Sequence, residues 1–155
     1  MKSNFIKYSL TFLLLIVTNS CSEDINEELL IFESGITNDI FDLVNEYRSN
    51  NGLQKLTRNA TADKLATEHT EYMIGNDKIS HDNFSSRSEN LKDKENAKSI
   101  SENVAYGYTT AEKVVAAWLN SLEHRENIEG DFTHTGVAAI KNSEDTYYYT
   151  QIFYE

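Results

Sequence analysis

The sequence predicts an α+β fold in which helices cover a small sheet. Three observations carry this prediction: apolar residues recur at helical spacing through much of the chain, two strand-like runs close it, and a polar, turn-prone segment separates those runs. Helices followed by a terminal hairpin are typical of α+β domains. With 155 residues, of which 39% are hydrophobic, the chain can form one domain with a core of its own.

Two helices are predicted in the first half of this domain. The first spans about residues 36–50 and ends at an Asn-Asn-Gly sequence, whose residues accept the left-handed conformation that ends helices. The second is capped by Asn59 or Thr61, and its apolar stripe continues to Met73. Residues 78–101 are polar and have no clear period, which favours a long irregular connection.

The second half of the domain is predicted to end in a hairpin. Thr109 or Thr110 caps a third helix that turns Trp118 inward, and a short helical piece follows it. The strand-like runs 134–140 and 146–154 then form the hairpin.

The N-terminal segment has the layout of a signal peptide. Lys2 and Lys7 precede the apolar run 8–17, and small polar residues lead from that run to Cys21. The run has about half of the roughly twenty apolar residues that a membrane-spanning helix needs. It therefore predicts export of the chain.

Cys21 is the only cysteine, so no disulfide can form within the chain even in an oxidising compartment. Its position resembles bacterial lipoprotein signals, in which the cysteine becomes the acylated first residue of the mature chain. We therefore expect a signal peptide over 1–20, an acidic tether over 21–35 and a domain over 36–155. The anchor would hold the protein at the cell envelope, facing the periplasm or the cell exterior. The alternative is an ordinary signal peptide with an incidental cysteine.

The charge of the chain excludes some partners. A formal net charge of −11 repels nucleic acid and anionic lipid surfaces, so contact with a membrane is expected through the lipid anchor alone. We expect a monomeric domain that meets an extracellular ligand or protein.

Four histidines are the first candidates for chemistry, because imidazole serves as acid, base or metal ligand near neutral pH. His69 lies on the apolar stripe of the second helix, which favours a core position. His134 begins a strand, which favours a strand-end role. His81 and His124 lie among polar residues at predicted loop or turn positions, where sites are usually built.

Short motifs along residues 36–155 resemble, in order and spacing, a bacterial domain of the CAP superfamily (cysteine-rich secretory proteins, antigen 5 and pathogenesis-related 1 proteins). The motifs are Leu43-Val44-Asn45-Glu46-Tyr47-Arg48, Gly52-Leu53, Leu65-Ala66 with His69 and Met73, Ser80-His81, Glu102-Asn103-Val104-Ala105, Trp118 with Asn120 and Ser121, His124-Arg125, Gly136-Val137 and Tyr149-Thr150-Gln151. This resemblance implies a secreted or surface-held, three-layer α-β-α sandwich with a small, mainly antiparallel sheet. It also implies a cavity that is open to solvent.

In that family, two histidines and one or two glutamates line the cavity. Carried over by motif, they are His81, Glu102 and His124, while Ser121 stands where animal and plant members have the second glutamate. Two imidazoles and a carboxylate are suitable ligands for Zn²⁺ or another divalent cation, with one position open to water. The same groups could instead be bare acid and base groups, with Glu102 as the candidate catalytic base, or a hydrogen-bonded structural network. We also expect Glu102 to raise the pKa of both histidines.

Three functions remain open from the sequence. The first is an extracellular binding module with a polar His/Glu cavity that holds a divalent metal or a small ligand. The second is a metal-dependent hydrolase acting on peptide or cell-wall substrates. The third is a carrier of apolar ligands such as sterols or fatty acids, which some relatives in the family bind.

Overall fold

The elements of the fold come from a computed structural model that describes residues 23–155, with side chains from Gly35 onward. The helices are α1 (Glu23–Asn50), α2 (Ala60–Gly75), α3 (Phe84–Glu95), α4 (Ala111–Asn120) and α5 (Leu122–Glu129), and the strands are β1 (Thr57–Arg58), β2 (Ile100–Tyr106), β3 (His134–Lys141) and β4 (Tyr147–Tyr154). The predicted signal peptide and Cys21 lie outside the described residues.

One sheet organises these elements. Its strand order is β1-β3-β4-β2, with β1 parallel to β3 and the other neighbours antiparallel. The predicted terminal hairpin is confirmed as the β3–β4 pair. Strand β2 pairs with β4 alone and therefore forms one edge of the sheet.

Helices cover both faces of the sheet, which confirms the predicted three-layer sandwich. On β4, Tyr149 and Phe153 face a core built with α1 and α4, whereas Ile152 and Tyr154 face a core built with α2. Because both faces are covered, every residue of β4 is buried.

Gly136 sets how closely α2 approaches the sheet. A Cβ atom at this position of β3 would lie 2.1 Å from the backbone carbonyl carbon of Ala62, far inside contact distance. Only glycine therefore lets the first turn of α2 rest on the strand.

The two helix caps expected from the sequence are confirmed. The Asn59 side chain accepts a hydrogen bond from the Ala62 amide at 2.9 Å, and the Thr110 hydroxyl accepts one from the Lys113 amide at 3.4 Å. Each cap satisfies an amide that the first helical turn leaves without a partner.

The irregular connection predicted over 78–101 is wrong, because this segment contains α3 and the start of β2. Helix α3 buries only Arg87, Ser88 and Leu91, so its sequence has no apolar stripe to mark the helical period. Left-handed Asn83 and Asn96 bound the helix on either side. Strand β2 was missed because three polar residues, Ser101, Glu102 and Asn103, follow its first residue and hide the apolar pattern of a strand.

Most of the segment expected to be an acidic tether is helical, because α1 begins at Glu23. The division of the chain into 1–20, 21–35 and 36–155 stays a prediction. Between residues 23 and 155, no helix has the length and apolar content needed to cross a membrane.

Candidate functional site

Edge strand β2 places polar side chains on both faces of the sheet. Glu102 contacts residues of α2, α3 and the segment between them, whereas Asn103 contacts α5. On the outer edge, the Glu102 carbonyl accepts a hydrogen bond from the Asn127 side chain at 3.2 Å, and the Val104 carbonyl accepts one from the Trp118 indole at 3.3 Å. The predicted inward position of Trp118 is confirmed.

The Glu102 carboxylate is buried and forms a bidentate ion pair. Arg87 donates from Nε to Oε2 and from Nη2 to Oε1, both at 2.7 Å, and its Nη1 donates to the carbonyl of Asp82 at 2.8 Å. Parallel N–H···O bonds between a guanidinium and a carboxylate are the strongest common form of ion pair. Both oxygens of Glu102 therefore already have a cationic partner.

His81 shares this carboxylate. Its Nδ1 lies 2.9 Å from Oε1 of Glu102, while about half of the His81 side chain (52%) is exposed. Since an ionised carboxylate can only accept hydrogen bonds, Nδ1 carries the shared proton. In the neutral ring, Nε2 is then the acceptor, and Glu102 orients it in the way that carboxylates orient metal-binding or basic histidines.

Glu102 stays ionised in this environment. Burial is the largest influence and raises its pKa, but the hydrogen bonds from His81 and Arg87 and the charge of Arg87 together outweigh it and hold the pKa below its usual range. A carboxyl group in this state is a poor proton donor, and both of its oxygens already accept hydrogen bonds.

His69 has the core position predicted for it, but it also lies at the edge of this network. Its Nε2 is 2.7 Å from the Ser80 carbonyl oxygen and 3.7 Å from Oε1 of Glu102, and its buried Nδ1 has no hydrogen-bond partner in the structure. Burial lowers the pKa of His69, and the charge of Glu102 only partly opposes that shift. The strand-end role predicted for His134 is confirmed, since it begins β3 and stacks on Tyr154 at 4.9 Å.

His124 lies within α5, and its ring is close enough to His81 for the two to influence each other electrostatically. Asn103 holds this part of α5 by donating to the His124 carbonyl at 3.0 Å, and Asn127 donates to Oδ1 of Asn103 at 2.8 Å. Burial lowers the pKa of His124, and the charge of neighbouring His81 lowers it further. The expectation that Glu102 raises the pKa of both histidines is therefore wrong for His124.

The structure divides the predicted cavity into two clefts that lie side by side along β2. The Glu102 cleft, of about 250 Å³, is lined by His81, Phe84, Ile100, Ser101 and Glu102. The His124 cleft, of about 300 Å³, is lined by Ile79, Val104, Ala105, Tyr106, Tyr108, Ala117, Trp118, Ser121 and His124. We call the two together the β2 groove. His81 and Glu102 therefore lie together, with His124 next to them.

The donors of the β2 groove match the predicted metal ligands only in part. Among the side chains described, from Gly35 to Glu155, no three His, Cys, Asp or Glu residues are grouped closely enough to hold a metal ion. Glu102 is occupied by Arg87 and His81, which leaves the imidazoles of His81 and His124 as available ligands. Such a pair would need water or a ligand of its own to complete a metal's coordination.

Arg87 and the two tyrosines of the groove were missed by the sequence analysis. The one available signal for Arg87 was indirect: a glutamate expected in a cavity needs a cationic partner once it is buried. Tyr106 and Tyr108 flank Gly107, whose positive φ of 83° marks a turn at the end of β2, but neither carries a recognisable motif.

Comparison with known proteins agrees with this architecture. The profile of the CAP family, the cysteine-rich secretory protein family, matches residues 41–153. This chain belongs to the CAP family. The domain is 36% identical over 120 residues to the uncharacterized membrane protein YlbC of Bacillus subtilis (strain 168), an alignment that covers 74% of this chain and 33% of YlbC.

Solved structures resemble the domain at similar levels. An extracellular protein containing an SCP domain from Bacillus anthracis str. Ames superposes with a TM-score of 0.73 at 28% identity, covering 83% of this chain and 43% of that one. An outer surface protein of Borrelia burgdorferi gives a TM-score of 0.68 at 25% identity, covering 75% of this chain and 89% of that one. The chain spans about a third of the length of YlbC, so the relatives show the domain and not the activity of a whole protein.

Proposed function

We propose that this CAP domain is an extracellular binding module, held at the cell envelope, whose ligand site is the β2 groove. The observation that carries the proposal is the arrangement of His81: a half-exposed imidazole held by a buried carboxylate, which is itself held by a buried guanidinium.

Burying an ion pair is a costly way to stabilise a fold. The desolvation penalty of two charges can exceed their attraction, and an apolar pair of similar volume is often at least as stable. Here the Arg87–Glu102 pair also holds the imidazole of His81, which is half-exposed to solvent. Orienting that ring for a ligand gives the buried pair a role that packing does not require.

A divalent cation such as Zn²⁺ is the simplest ligand to propose for the two histidines. His81 would bind through Nε2 and His124 through a ring nitrogen, with Glu102 acting through His81 as its orienting partner. The lowered pKa of His124 favours the neutral ring that a metal needs.

Calorimetric titration with Zn²⁺ at neutral pH tests this cation site. We expect binding to the wild-type domain, loss of binding in the His81→Ala/His124→Ala variant, and unchanged binding in His134→Ala, a matched control outside the groove. Equal heats for all three proteins would refute the proposed cation site.

The geometry favours binding over hydrolysis. A hydrolase of the type predicted from sequence needs a free carboxylate as general base, whereas both oxygens of Glu102 accept hydrogen bonds from Arg87. Turnover of peptides or peptidoglycan that stops on adding a chelator would overturn this preference. The apolar carrier is less favoured, because polar groups line both clefts.

Anchoring through acylated Cys21 is proposed from the layout of the N-terminal sequence. We expect Cys21→Ser to move the protein from the membrane fraction to the soluble fraction, with Ser22→Ala as the control that leaves it in place. Retention of Cys21→Ser with the membranes would refute the lipid anchor.

A further inference from the structure

Exposed aromatic and aliphatic side chains concentrate at the His124 cleft. Between Gly35 and Glu155, five large apolar or aromatic side chains are exposed, and three of them, Ile79, Tyr106 and Tyr108, line this cleft. A fourth, Leu122, directly follows Ser121, which also lines it. Scattered apolar residues on a surface need no explanation, but a cluster along a cleft marks a contact site.

The two tyrosines stand on a rigid support. The carbonyl of Tyr108 accepts a hydrogen bond from the Tyr149 hydroxyl at 2.7 Å, and the amide of Gly107 donates to the Tyr147 carbonyl at 2.8 Å. The ring of Tyr106 packs on the ring of Tyr148 with centroids 5.6 Å apart. The backbone carrying both rings is therefore held before any ligand arrives, which lowers the entropy cost of binding.

The β2 groove contains no uncompensated charge, although the chain as a whole carries −11. Glu102 is the only acidic or basic residue among those lining the two clefts, apart from the two histidines, and Arg87 neutralises it. The remaining polar groups that line the clefts include the imidazoles of His81 and His124 and the hydroxyls of Ser121, Tyr106 and Tyr108, whereas the Ser101 hydroxyl is buried. A charged organic ligand would find no counter-charge here, whereas a neutral ligand rich in hydroxyl groups would find donors and acceptors.

The two clefts also lie in line. Residues Ile100 to Glu102 line one, Val104 to Tyr106 line the other, and a strand of this length extends about 20 Å at roughly 3.3 Å per residue. Aromatic side chains stand at both ends, Phe84 at one and the two tyrosines at the other. This layout suits a linear ligand that has apolar faces and hydroxyl edges.

We infer that the β2 groove binds a neutral oligosaccharide. Sugar rings would lay their C–H faces on Tyr106 and Tyr108, and their hydroxyl groups would exchange hydrogen bonds with the imidazoles of His81 and His124. This inference rests on the proposed function, because it takes the groove to be the ligand site. It goes further in naming the class of ligand.

The experiment uses the full chain, with the N-acetylglucosamine oligomers from the monomer to the hexamer as probes. Affinity is measured by calorimetry, and the residues affected are identified by amide chemical-shift changes. We expect affinity to rise with oligomer length until the groove is filled, with the largest shifts along β2 and at Gly107.

Two substitutions separate ring stacking from folding. Tyr106→Ala should weaken binding of the longest oligomer by about three- to tenfold, which corresponds to the usual range for one aromatic contact. Tyr106→Phe should retain it, because the ring is kept. Tyr72→Ala is the matched control, since Tyr72 is exposed to a similar degree but lies outside the groove.

The outcomes distinguish this inference from the proposed function. Failure of every oligomer to bind, while Zn²⁺ still binds in a manner that depends on His81 and His124, would overturn the oligosaccharide and leave the binding module standing. Failure of both would overturn the proposed function as well. Displacement of a bound oligomer by palmitate would overturn the oligosaccharide and assign the groove to an apolar ligand instead.

Discussion

The two faces of strand β2 stabilise the same groove by different chemistry. Toward α2 and α3, a buried carboxylate is matched by the guanidinium of Arg87 and the imidazole of His81. Toward α5, a buried amide, Asn103, exchanges hydrogen bonds with the His124 backbone and with Asn127. Consecutive residues of a strand point to opposite faces, so Glu102 and Asn103 serve different layers although they are neighbours in sequence.

The ionic network around Glu102 and the amide network around Asn103 differ in what they hold in place. The ionic network holds an exposed side chain, His81, and leaves its Nε2 in the groove. The amide network holds a helix backbone and only indirectly the ring of His124. Charged partners must match fully when buried, whereas amides lose less when one bond is broken. We therefore expect that disrupting the two networks lowers the free energy of unfolding by unequal amounts.

The largest effect is expected when the ionic network loses its cation. Arg87→Leu leaves Glu102 buried without its guanidinium, with only the His81 imidazole as a hydrogen-bond partner, and should lower the free energy of unfolding by about 3–5 kcal/mol. Urea denaturation measures this loss. The double variant Arg87→Leu/Glu102→Leu should recover part of it, because no unpaired charge remains.

The matched control for that experiment is an exposed ion pair. Lys64→Leu removes the partner of Glu68, at 3.7 Å on the surface of α2, and should change stability by no more than about 0.5 kcal/mol. If Arg87→Leu lowered the free energy of unfolding as little as Lys64→Leu, the prediction that losing the ionic network costs more stability than losing the amide network would be wrong.

A smaller loss is expected on the other face. Asn103→Ala removes the donor to the His124 carbonyl and the acceptor for Asn127, and should lower stability by about 1–3 kcal/mol. The same denaturation measurement applies, with Asn76→Ala as a control whose side-chain hydrogen bond is exposed. A loss in Asn103→Ala that equals that of Arg87→Leu would contradict the ranking.

The smallest effect is a pH dependence to which both faces contribute, through the lowered pKa values of His69 on the ionic side and of His124 on the other. The folded protein lowers the pKa of buried His69, so the unfolded chain binds the extra proton more readily as pH falls below about 6.5. The part of the stability that depends on neutral His69 is therefore fully present above that pH. It is lost below that pH, by no more than about 1.4 kcal/mol per pH unit for one proton.

Unfolding measured between pH 8 and pH 5 in wild-type and His69→Gln protein checks this prediction. We expect the slope with pH to be shallower in His69→Gln. The lowered pKa of Glu102 acts in the same direction but at lower pH, where its carboxyl begins to take up a proton. A wild-type protein that gains stability on acidification from pH 7 to pH 5 would show that the sign is wrong.

Local patterns were enough to predict part of this molecule. Helix α2 and helix α4 have amphipathic stripes and capping side chains at Asn59 and Thr110, and the β3–β4 hairpin has apolar and aromatic runs around a polar turn. Helix α3 escaped prediction because its buried face holds an arginine and a serine as well as Leu91. A helix that buries charged and polar side chains to build a site lacks the regular apolar spacing of a helix that packs on a hydrophobic core.

By itself, the sequence determined the fold class, the family, and the candidates His81, Glu102 and His124, because these depend on local periodicity and on the order of short motifs. Only the tertiary structure decided what those residues do for one another. It paired Glu102 with Arg87, left Nε2 of His81 open to the groove, and set His124 in the adjacent cleft with the tyrosines. Such pairings join elements distant along the chain, and packing, not sequence spacing, determines which side chains meet.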